Sequence, residues 1–397
     1  MNITQSLKLA ALALLVTVGF TACSEDEPTP TPDPTPDPTP DPVAPARGEG
    51  GFFVLCQGNQ GQLDGTLDYF STDDPSTRIV NMFTFVNDKS LGDSPQRPVL
   101  YGSKLYIPMF TEKKVWVVDT KTMQVVAEVA KPNANAGDAS EGPEAVCGDQ
   151  GYVYIAYNDG TVTRMDTTAY EQSAPIQVGP NPADIAAYEG KVYVSISDGY
   201  NYANGYQNGF KVVKIDGATY TVEKSITVGM NPGQMAIDNQ GNVFVVCRGD
   251  YGATPSAVWA ITSADQASEL GEGSMIAIDN QNRTSRATGS VSPLYVLNVS
   301  TDYSNWPSVT NVIKSYVYNS LTREKLSENF LDANNLPINP TGIMDVNPST
   351  GELYICSDSS TGSDAYTTDG KVYIYSANGQ YKKALTTGVH PYGVVFR

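Results

Sequence analysis

The sequence predicts an all-β fold, a seven-bladed β-propeller, on three observations. A cassette at residues 179–194, GPNPADIAAYEGKVYV, returns at 229–246 as GMNPGQMAIDNQGNVFVV. Looser copies recur every ~40 to 50 residues, the period of a four-stranded propeller blade. The composition, with 35 Gly, 26 Pro, 24 Tyr and only 17% charged residues, is typical of many short strands joined by turns.

Residues 1–22 have the layout of a secretory signal peptide. A single basic residue, Lys8, precedes the apolar run 9–20, which is too short to span a membrane. Cys23 follows Thr21-Ala22, and the sequence Gly-Phe-Thr-Ala-Cys resembles the processing site of bacterial lipoproteins, in which the cysteine becomes the acylated N-terminus. We therefore expect residues 1–22 to be removed and Cys23 to carry a lipid.

Residues 23–49 form the predicted connection between the lipid and the propeller. The acidic run 24–27, SEDE, resembles the export signal of Bacteroidetes lipoproteins that reach the outer face of the outer membrane. The following segment, 28–46, has proline at alternate positions, which favours an extended, semi-rigid chain without a core. We expect an outer-membrane protein, exposed at the cell surface on a stalk.

The propeller is predicted from residue 50 to residue 397, and its blades are counted from a pivot proline. The proline lies eleven residues before the aromatic residue of the next strand in three copies and twelve before it in a fourth: Pro95 and Tyr106, Pro143 and Tyr154, Pro182 and Tyr193, and Pro232 and Phe244. A looser copy covers 340–354, and 274–279 matches the start of the 232 copy without its proline. These give six blade starts.

A third strand is predicted after each aromatic second strand, and a fourth returns toward the next blade. The predicted third strands are 115–119, 161–166, 211–216, 258–262, 312–318 and 371–376. Three of them end in Asp119, Asp166 and Asp216, whose carboxylates can accept hydrogen bonds from the backbone of a following turn.

The two ends of the propeller sequence together supply a seventh blade. Residues 390–397 offer a pivot proline and a first strand, whereas 51–56, 66–70 and 79–86 read as second, third and fourth strands. Pairing them closes the ring and removes exposed sheet edges. In this arrangement the loops from strand two to three and from strand four to the next strand one share one face, here called the upper face.

The second-to-third loops carry the candidate binding residues. They contain aromatic rings and side-chain amides, which suit a large, polar and uncharged ligand. The predicted ligand-binding residues are Asn59, Tyr200, Tyr202, Tyr206, Asn208, Arg248, Tyr251, Tyr303, Asn305, Trp306 and Tyr366.

Composition also disfavours several functions. The net charge of −18 disfavours nucleic-acid binding, because 25 Lys and Arg scattered among 43 Asp and Glu offer no obvious basic face. The single histidine, His390, lies in a pivot turn where a structural role is favoured, so histidine-based catalysis and a histidine-ligated metal are not expected. Asp358, Asp364 and Asp369 follow no calcium-loop spacing. Cys56, Cys147, Cys247 and Cys356 are expected to be buried thiols, although one disulfide stays open as an alternative. No catalytic residue, metal or cofactor is predicted.

The motifs Asn-Pro-x-x-x-Ala and Gly-x-Val-Tyr-Val, at 181–194 and in degenerate form at 231–246, resemble the YncE-like seven-bladed propellers. Together with the lipoprotein start, the acidic signal and the stalk, the chain is similar to Bacteroidetes surface lipoproteins that capture cobalamin (vitamin B12) and pass it to a TonB-dependent outer-membrane transporter. The resemblance implies cobalamin as transported ligand, and the scarcity of catalytic residues, with His390 as the single histidine, argues against an enzyme. The ligand-binding residues above come from the loops and not from the resemblance.

Three alternatives remain at this point. The upper face could bind a glycan or another nutrient, because tyrosine and tryptophan rings stack on sugars. The protein could be an enzyme, since lactonases, lyases and quinone-dependent dehydrogenases also use propellers. It could also be a structural surface protein whose upper face binds no small molecule.

Overall fold

The computed structural model describes residues 50–397 except 73, 75, 76, 136, 137, 281–291, 303 and 305–308, with only the backbone at 139. Within these residues the chain forms seven four-stranded antiparallel sheets, each a blade. From the axis outward, the strands are Pro391–Phe396, Gly51–Cys56, Thr66–Ser71 and Arg78–Ile79 in blade 1; Val99–Tyr101, Lys104–Met109, Lys114–Asp119 and Val125–Ala130 in blade 2; and Pro143–Asp149, Tyr152–Tyr157, Thr161–Asp166 and Ile176–Gln177 in blade 3.

The remaining blades follow the same order. Their strands are Pro182–Tyr188, Lys191–Ile196, Lys211–Asp216 and Thr221–Thr227 in blade 4; Pro232–Ile237, Val243–Cys247, Ala257–Ile261 and Ala267–Glu272 in blade 5; Met275–Ile278, Pro293–Asp302, Thr310–Asn319 and Lys325–Glu328 in blade 6; and Asn339–Val346, Leu353–Asp358, Asp369–Tyr375 and Tyr381–Val389 in blade 7. The predicted seven-bladed fold is confirmed. The third strands predicted for blades 2 to 7 are also confirmed, with their ends shifted by up to two residues.

The closure of the ring is also confirmed. Gly51–Cys56 pairs antiparallel with Pro391–Phe396, with Phe52 opposite Phe396. Phe52 also stacks on Phe70 and meets the edge of Tyr354 from blade 7, at centroid distances of 5.1 and 5.0 Å. Phe52 and Val54 pack on the blade 7 side of this strand, and Phe53 and Leu55 pack on the blade 2 side. All six residues of the strand are therefore buried.

A buried carboxylate ties blade 1 to blade 7. Asp68, with a fully buried side chain, accepts hydrogen bonds from Nε and Nη2 of Arg78 at 3.1 and 2.8 Å. It also accepts from the backbone N–H groups of Asn81 at 2.9 Å and Gly388 at 3.1 Å. One side chain thus fixes its own blade, the segment after it and the outer strand of the last blade.

The prediction that 79–86 forms the fourth strand of blade 1 is wrong. The strand there is only Arg78–Ile79, and an α-helix follows at Met82–Asn87. Asn81 caps this helix by accepting from the N–H of Thr84, and Phe83 packs on Trp116 of blade 2 at 5.3 Å. The β-branched and aromatic residues of 79–86 favour a strand by propensity, but tertiary packing on blade 2 favours the helix.

Shorter helical turns occupy three loops, at Ala139–Glu141, Gly199–Asn204 and Ser363–Tyr366. Among the residues described, none of the helices reaches the length and apolar character of a membrane span.

The predicted turns and thiols are present. Asp119 and Asp166 accept from the N–H groups two residues further on, at Lys121 and Thr168, and Asp216 accepts from Thr219. Cys56, Cys147, Cys247 and Cys356 are buried and unpaired, so the alternative of a disulfide among them is excluded. Burial raises the pKa of the Cys56 thiol, which keeps it protonated and apolar in character.

Candidate ligand-binding site on the upper face

A cavity of about 400 Å³ opens on the upper face. The second-to-third loops and the fourth-to-first loops both contribute to it, as expected if they share one face. Its polar and aromatic lining includes the amides Gln57, Gln60, Gln96, Asn158 and Asn181, the rings Phe110, Tyr200, Tyr366 and His390, the charged residues Glu144 and Arg248, and the hydroxyls of Ser94 and Ser197.

Two further cavities continue toward the opposite face. A narrow one of about 180 Å³, the channel cavity, shares Gln96, Glu144 and Arg248 with the upper cavity. A wider one of about 520 Å³ shares Arg97 and Asp184 with the channel cavity and is lined mainly by apolar inner-strand residues. The three cavities follow the propeller axis, and polar side chains concentrate in the upper two.

Tyr200 is held by hydrogen bonds at its hydroxyl and its backbone N–H, while its side chain stays exposed to solvent. Its hydroxyl accepts a hydrogen bond from Nδ2 of Asn158 at 2.8 Å, and its backbone N–H donates to Oδ1 of Asn181 at 3.1 Å. Asn181 in turn donates to Asn158. The side chain nevertheless remains 69% exposed. An amide pair therefore orients a ring that is free to contact a ligand.

The residue before the pivot proline adopts left-handed backbone in four blades. The residues are Ser94, Asn181, Asn231 and His390, with φ between 48° and 55°. Asparagine tolerates this conformation better than most residues, which explains the Asn-Pro pair of the repeat. His390 occupies the asparagine position of the last copy, so the structural role expected for it is consistent with its place in the turn.

His390 also lines the upper cavity, a position that was not predicted from its place in the pivot turn. Its Nδ1 lies 3.0 and 3.2 Å from the two carboxylate oxygens of Asp358. Its ring stacks between Tyr366 and Tyr392, with both centroids 6.0 Å away. The imidazole is consequently fixed on three sides beside the cavity.

The other predicted binding residues lie at different places relative to the upper cavity. Tyr200, Arg248 and Tyr366 line the cavity, and Tyr202 and Tyr251 lie on the same loops, 70% and 76% exposed, outside its lining. Asn59 is half-buried next to lining residues, and its backbone N–H donates to Asp64 at 2.8 Å. Tyr303, Asn305 and Trp306 lie outside the described residues.

The interpretation of Tyr206 as an exposed rim residue is wrong, because its side chain is only 5% exposed. The loop folds back on Asp198, which accepts from Nδ2 of Asn201 and from both the backbone and side-chain N–H of Asn208. This closure buries Tyr206 beneath the loop. Asn208, although exposed, is engaged in the same closure.

Sequence reasoning missed the amides and charges nearest the axis. Six of the missed lining residues share one position: Gln96, Glu144, Ala183, Thr341 and Tyr392 each directly follow a pivot proline, and Ser274 aligns with them. Because the pivot proline starts the inner strand, the next side chain reaches the axis. The position after each pivot proline was therefore the signal that could have found them.

Charges along the axis are mostly paired. Nη2 of Arg97 is bonded to Oδ1 of Asp345, and Oδ2 of Asp345 accepts from the N–H of Val394 at 3.0 Å. Asp184 accepts from the N–H groups of Ile185 and Met235 at 2.8 and 2.7 Å. Burial raises the pKa of Asp184, although Arg97 and these N–H groups oppose the rise.

Glu144 is the exception among the axial carboxyl groups. Within the described part of the chain, its side chain has no hydrogen bond or ion pair. Burial raises its pKa to about 7, Arg248 opposes the rise and Asp184 adds to it. The Glu144 carboxyl is therefore expected to change between its protonated and ionised forms near neutral pH.

Glu144 should make stability fall as the pH rises. The folded protein binds this proton more tightly than the unfolded chain, whose glutamate pKa is ~4.3, so the free energy of unfolding decreases between about pH 4.3 and 7. Relative to Glu144→Gln, the wild type should lose up to ~3 kcal/mol across this window. Urea unfolding at pH 5, 6, 7 and 8 measures the difference, and parallel curves for the two proteins would contradict it.

The acidic residues of blade 7 do not converge on a common site. Asp358 contacts Nδ1 of His390, and Asp364 accepts a hydrogen bond from the hydroxyl of Ser360 at 2.7 Å. Oδ2 of Asp369 lies 3.8 Å from Nη1 of Arg78. Over the described ranges, no group of three or more His, Cys, Asp or Glu side chains is placed to hold a metal ion.

Comparison with known proteins identifies the fold and the family. No curated protein sequence matches the chain significantly. Hydrazine synthase of Kuenenia stuttgartiensis aligns with TM-score 0.53 and 18% identity, covering 75% of this chain and 88% of that one. A quinonprotein alcohol dehydrogenase-like protein of Bacteroides thetaiotaomicron aligns with TM-score 0.55 and 15% identity, covering 87% and 78%. At these identities the likeness shows the fold alone. A family model described as domain of unknown function (DUF5074) matches residues 50–396, and the chain therefore belongs to that family.

Proposed function

We propose that this protein is a cell-surface lipoprotein that captures cobalamin in its upper cavity and passes it to a TonB-dependent outer-membrane transporter. The observation that carries the proposal is the lining of that cavity, where five side-chain amides surround the axis and aromatic rings stand at its edge. The identity of the ligand is inferred from the resemblance of the lipoprotein start and the stalk to cobalamin-capturing lipoproteins.

The chemistry of the lining suits a corrinoid. A corrin ring is broad, carries amides and methyl groups at its edge, and needs many hydrogen bonds together with apolar contact. Gln57 and Gln96 each use one amide hydrogen on a backbone carbonyl, of Pro95 and Ser94, and keep the second hydrogen and the amide oxygen for a ligand. Gln60 adds a further amide, and Tyr200 and Tyr366 offer exposed ring surface. A corrinoid is larger than 400 Å³, so the remainder of the ligand would contact the exposed rings of Tyr202 and Tyr251.

The remaining parts of the proposal concern delivery. Acylated Cys23 would anchor the protein in the outer membrane, and the stalk at 28–46 would let the propeller reach the transporter. Both precede the residues that the structure describes. We propose a binding function without catalysis, so the protein would need no cofactor of its own, and cobalamin would be cargo.

Binding of cyanocobalamin by the propeller tests the proposal directly. Residues 50–397 contain all seven blades, and we expect the red corrin absorbance to co-elute with them in size-exclusion chromatography at micromolar concentration. Heat-unfolded protein is the control for nonspecific adsorption. Elution of all colour at the position of the free vitamin would contradict the proposal.

A glycan is the second candidate, favoured by the exposure of four tyrosine rings, Tyr200, Tyr202, Tyr251 and Tyr366, which are 56–76% exposed. Such rings stack on sugar faces as readily as on a corrin. Affinity electrophoresis in gels that contain soluble polysaccharides distinguishes the two. Retardation by a polysaccharide, without binding of cyanocobalamin, would favour the glycan.

A further inference from the structure

The channel cavity contains polar groups that the protein itself does not use. It lies below the upper cavity, and its volume of about 180 Å³ matches a small group rather than a whole corrinoid. Among the described residues, the guanidinium of Arg248, the carboxyl of Glu144 and the hydroxyl of Tyr392 make no hydrogen bond or ion pair. All three line the cavity and are half-buried, so their polar atoms are available to a group that enters it.

We propose that the channel cavity binds a single oxyanion group, a carboxylate, phosphate or sulfate, with Arg248 as its cationic anchor. The site goes beyond the proposed function, because it needs no particular ligand in the upper cavity. The oxyanion is either a free ion or the anionic group of a larger ligand.

The neighbouring charges explain why Arg248 is the available cation. Arg97 is already paired with Asp345, and Asp184 already accepts two backbone N–H groups. A guanidinium donates up to five hydrogen bonds and matches the planar oxygens of carboxylate or phosphate. Arg248 therefore retains its full donor capacity for a group that enters from the upper cavity.

Gly233 positions the guanidinium. A Cβ atom at residue 233 would lie only 2.5 Å from Cζ and Nη2 of Arg248. Glycine lets the guanidinium lie flat against the inner strand of blade 5. Gly233→Ala should displace the guanidinium with little effect on the fold, since the clash involves the end of a flexible side chain.

Glu144 should make the site pH-dependent. When protonated, its carboxyl can donate a hydrogen bond to the oxyanion; when ionised, it repels the oxyanion and attracts Arg248. The other charged or titratable groups beside the cavity are Arg97, Asp184, Asp345, Tyr392 and His390. Oxyanion binding should therefore weaken as the pH rises from 6 to 8.

Isothermal titration of the purified protein with sodium sulfate tests the site, because sulfate keeps its charge from pH 5 to 9. We expect one sulfate per chain at pH 6, with at least tenfold weaker binding in Arg248→Gln and Gly233→Ala and partial retention in Arg248→Lys. Arg323→Gln, on a blade 6 turn, should bind as the wild type does. Glu144→Gln should remove the difference between pH 6 and pH 8.

Cyanocobalamin distinguishes the two sources of the oxyanion. If sulfate does not bind, but Arg248→Gln and Gly233→Ala weaken cyanocobalamin at least tenfold and leave cobinamide, which lacks the phosphodiester, unaffected, the oxyanion arrives with the ligand. Absence of both effects would overturn the site. Binding of sulfate without binding of cyanocobalamin would uphold the site and reject the proposed function.

Discussion

Replacing Asp68 with alanine is expected to lower the free energy of unfolding by about 3–5 kcal/mol, the usual cost of removing one partner from a buried ion pair. The side chain of Asp68 is fully buried and holds Arg78 through two hydrogen bonds. Its loss would also leave the N–H groups of Asn81 and Gly388 without their acceptor. Each unsatisfied buried donor adds to the cost.

Equilibrium unfolding in urea at pH 7 measures this effect. Asp68→Asn should cost less, because an amide oxygen can still accept some of these bonds, although it cannot neutralise Arg78. Glu324→Ala, an exposed carboxylate on a turn of blade 6, should change the free energy of unfolding by no more than ~0.5 kcal/mol. A loss below 1 kcal/mol in Asp68→Ala would show that ring closure does not depend on this carboxylate.

The double variant Tyr200→Ala/Tyr366→Ala should weaken cyanocobalamin binding by about 30- to 1,000-fold. Both rings line the upper cavity and are 69% and 56% exposed, so they can bury substantial area against a ligand. Aromatic anchors of this kind contribute roughly 1–2 kcal/mol each, and every 1.4 kcal/mol is tenfold in affinity. Titration followed by the corrin absorbance measures the change.

Tyr152→Ala is the matched control for this double variant. Tyr152 is 36% exposed and begins the second strand of blade 3, at the edge opposite the upper face. We expect its loss to leave affinity unchanged. The melting temperature of the double variant should stay close to that of the wild type, because neither ring belongs to the core. Unchanged affinity in the double variant would place the ligand elsewhere on the propeller.

Most of the fold could be predicted because each blade repeats the same physical requirements. The pivot turn, the small inner strand and the Val-aromatic second strand recur, so several degenerate copies support one another. Residues 79–86 had no such support. There the choice between strand and helix depended on Asp68 and on packing against Trp116, which are remote in sequence.

The site was predictable only in part. Loop length and aromatic content identified Tyr200, Arg248 and Tyr366, which do line the cavity. The same criteria selected Tyr206, whose burial depends on hydrogen bonds of Asp198 within its own loop. Local composition shows which loops are elaborate, but not which rings within them face outward.

The join between residues 51–56 and 391–396 has a consequence for how the protein reaches its native state. As the chain folds, blades 2 to 7 can each pair strands that are close in sequence, but blade 1 must wait with an open edge for a strand that follows more than 300 residues later. Its completion is thus a late, long-range event, which slows folding relative to local pairing. Until then, the strand 51–56 can pair with strands of other molecules, so the time that blade 1 takes to close sets the interval during which the folding chain is vulnerable to aggregation.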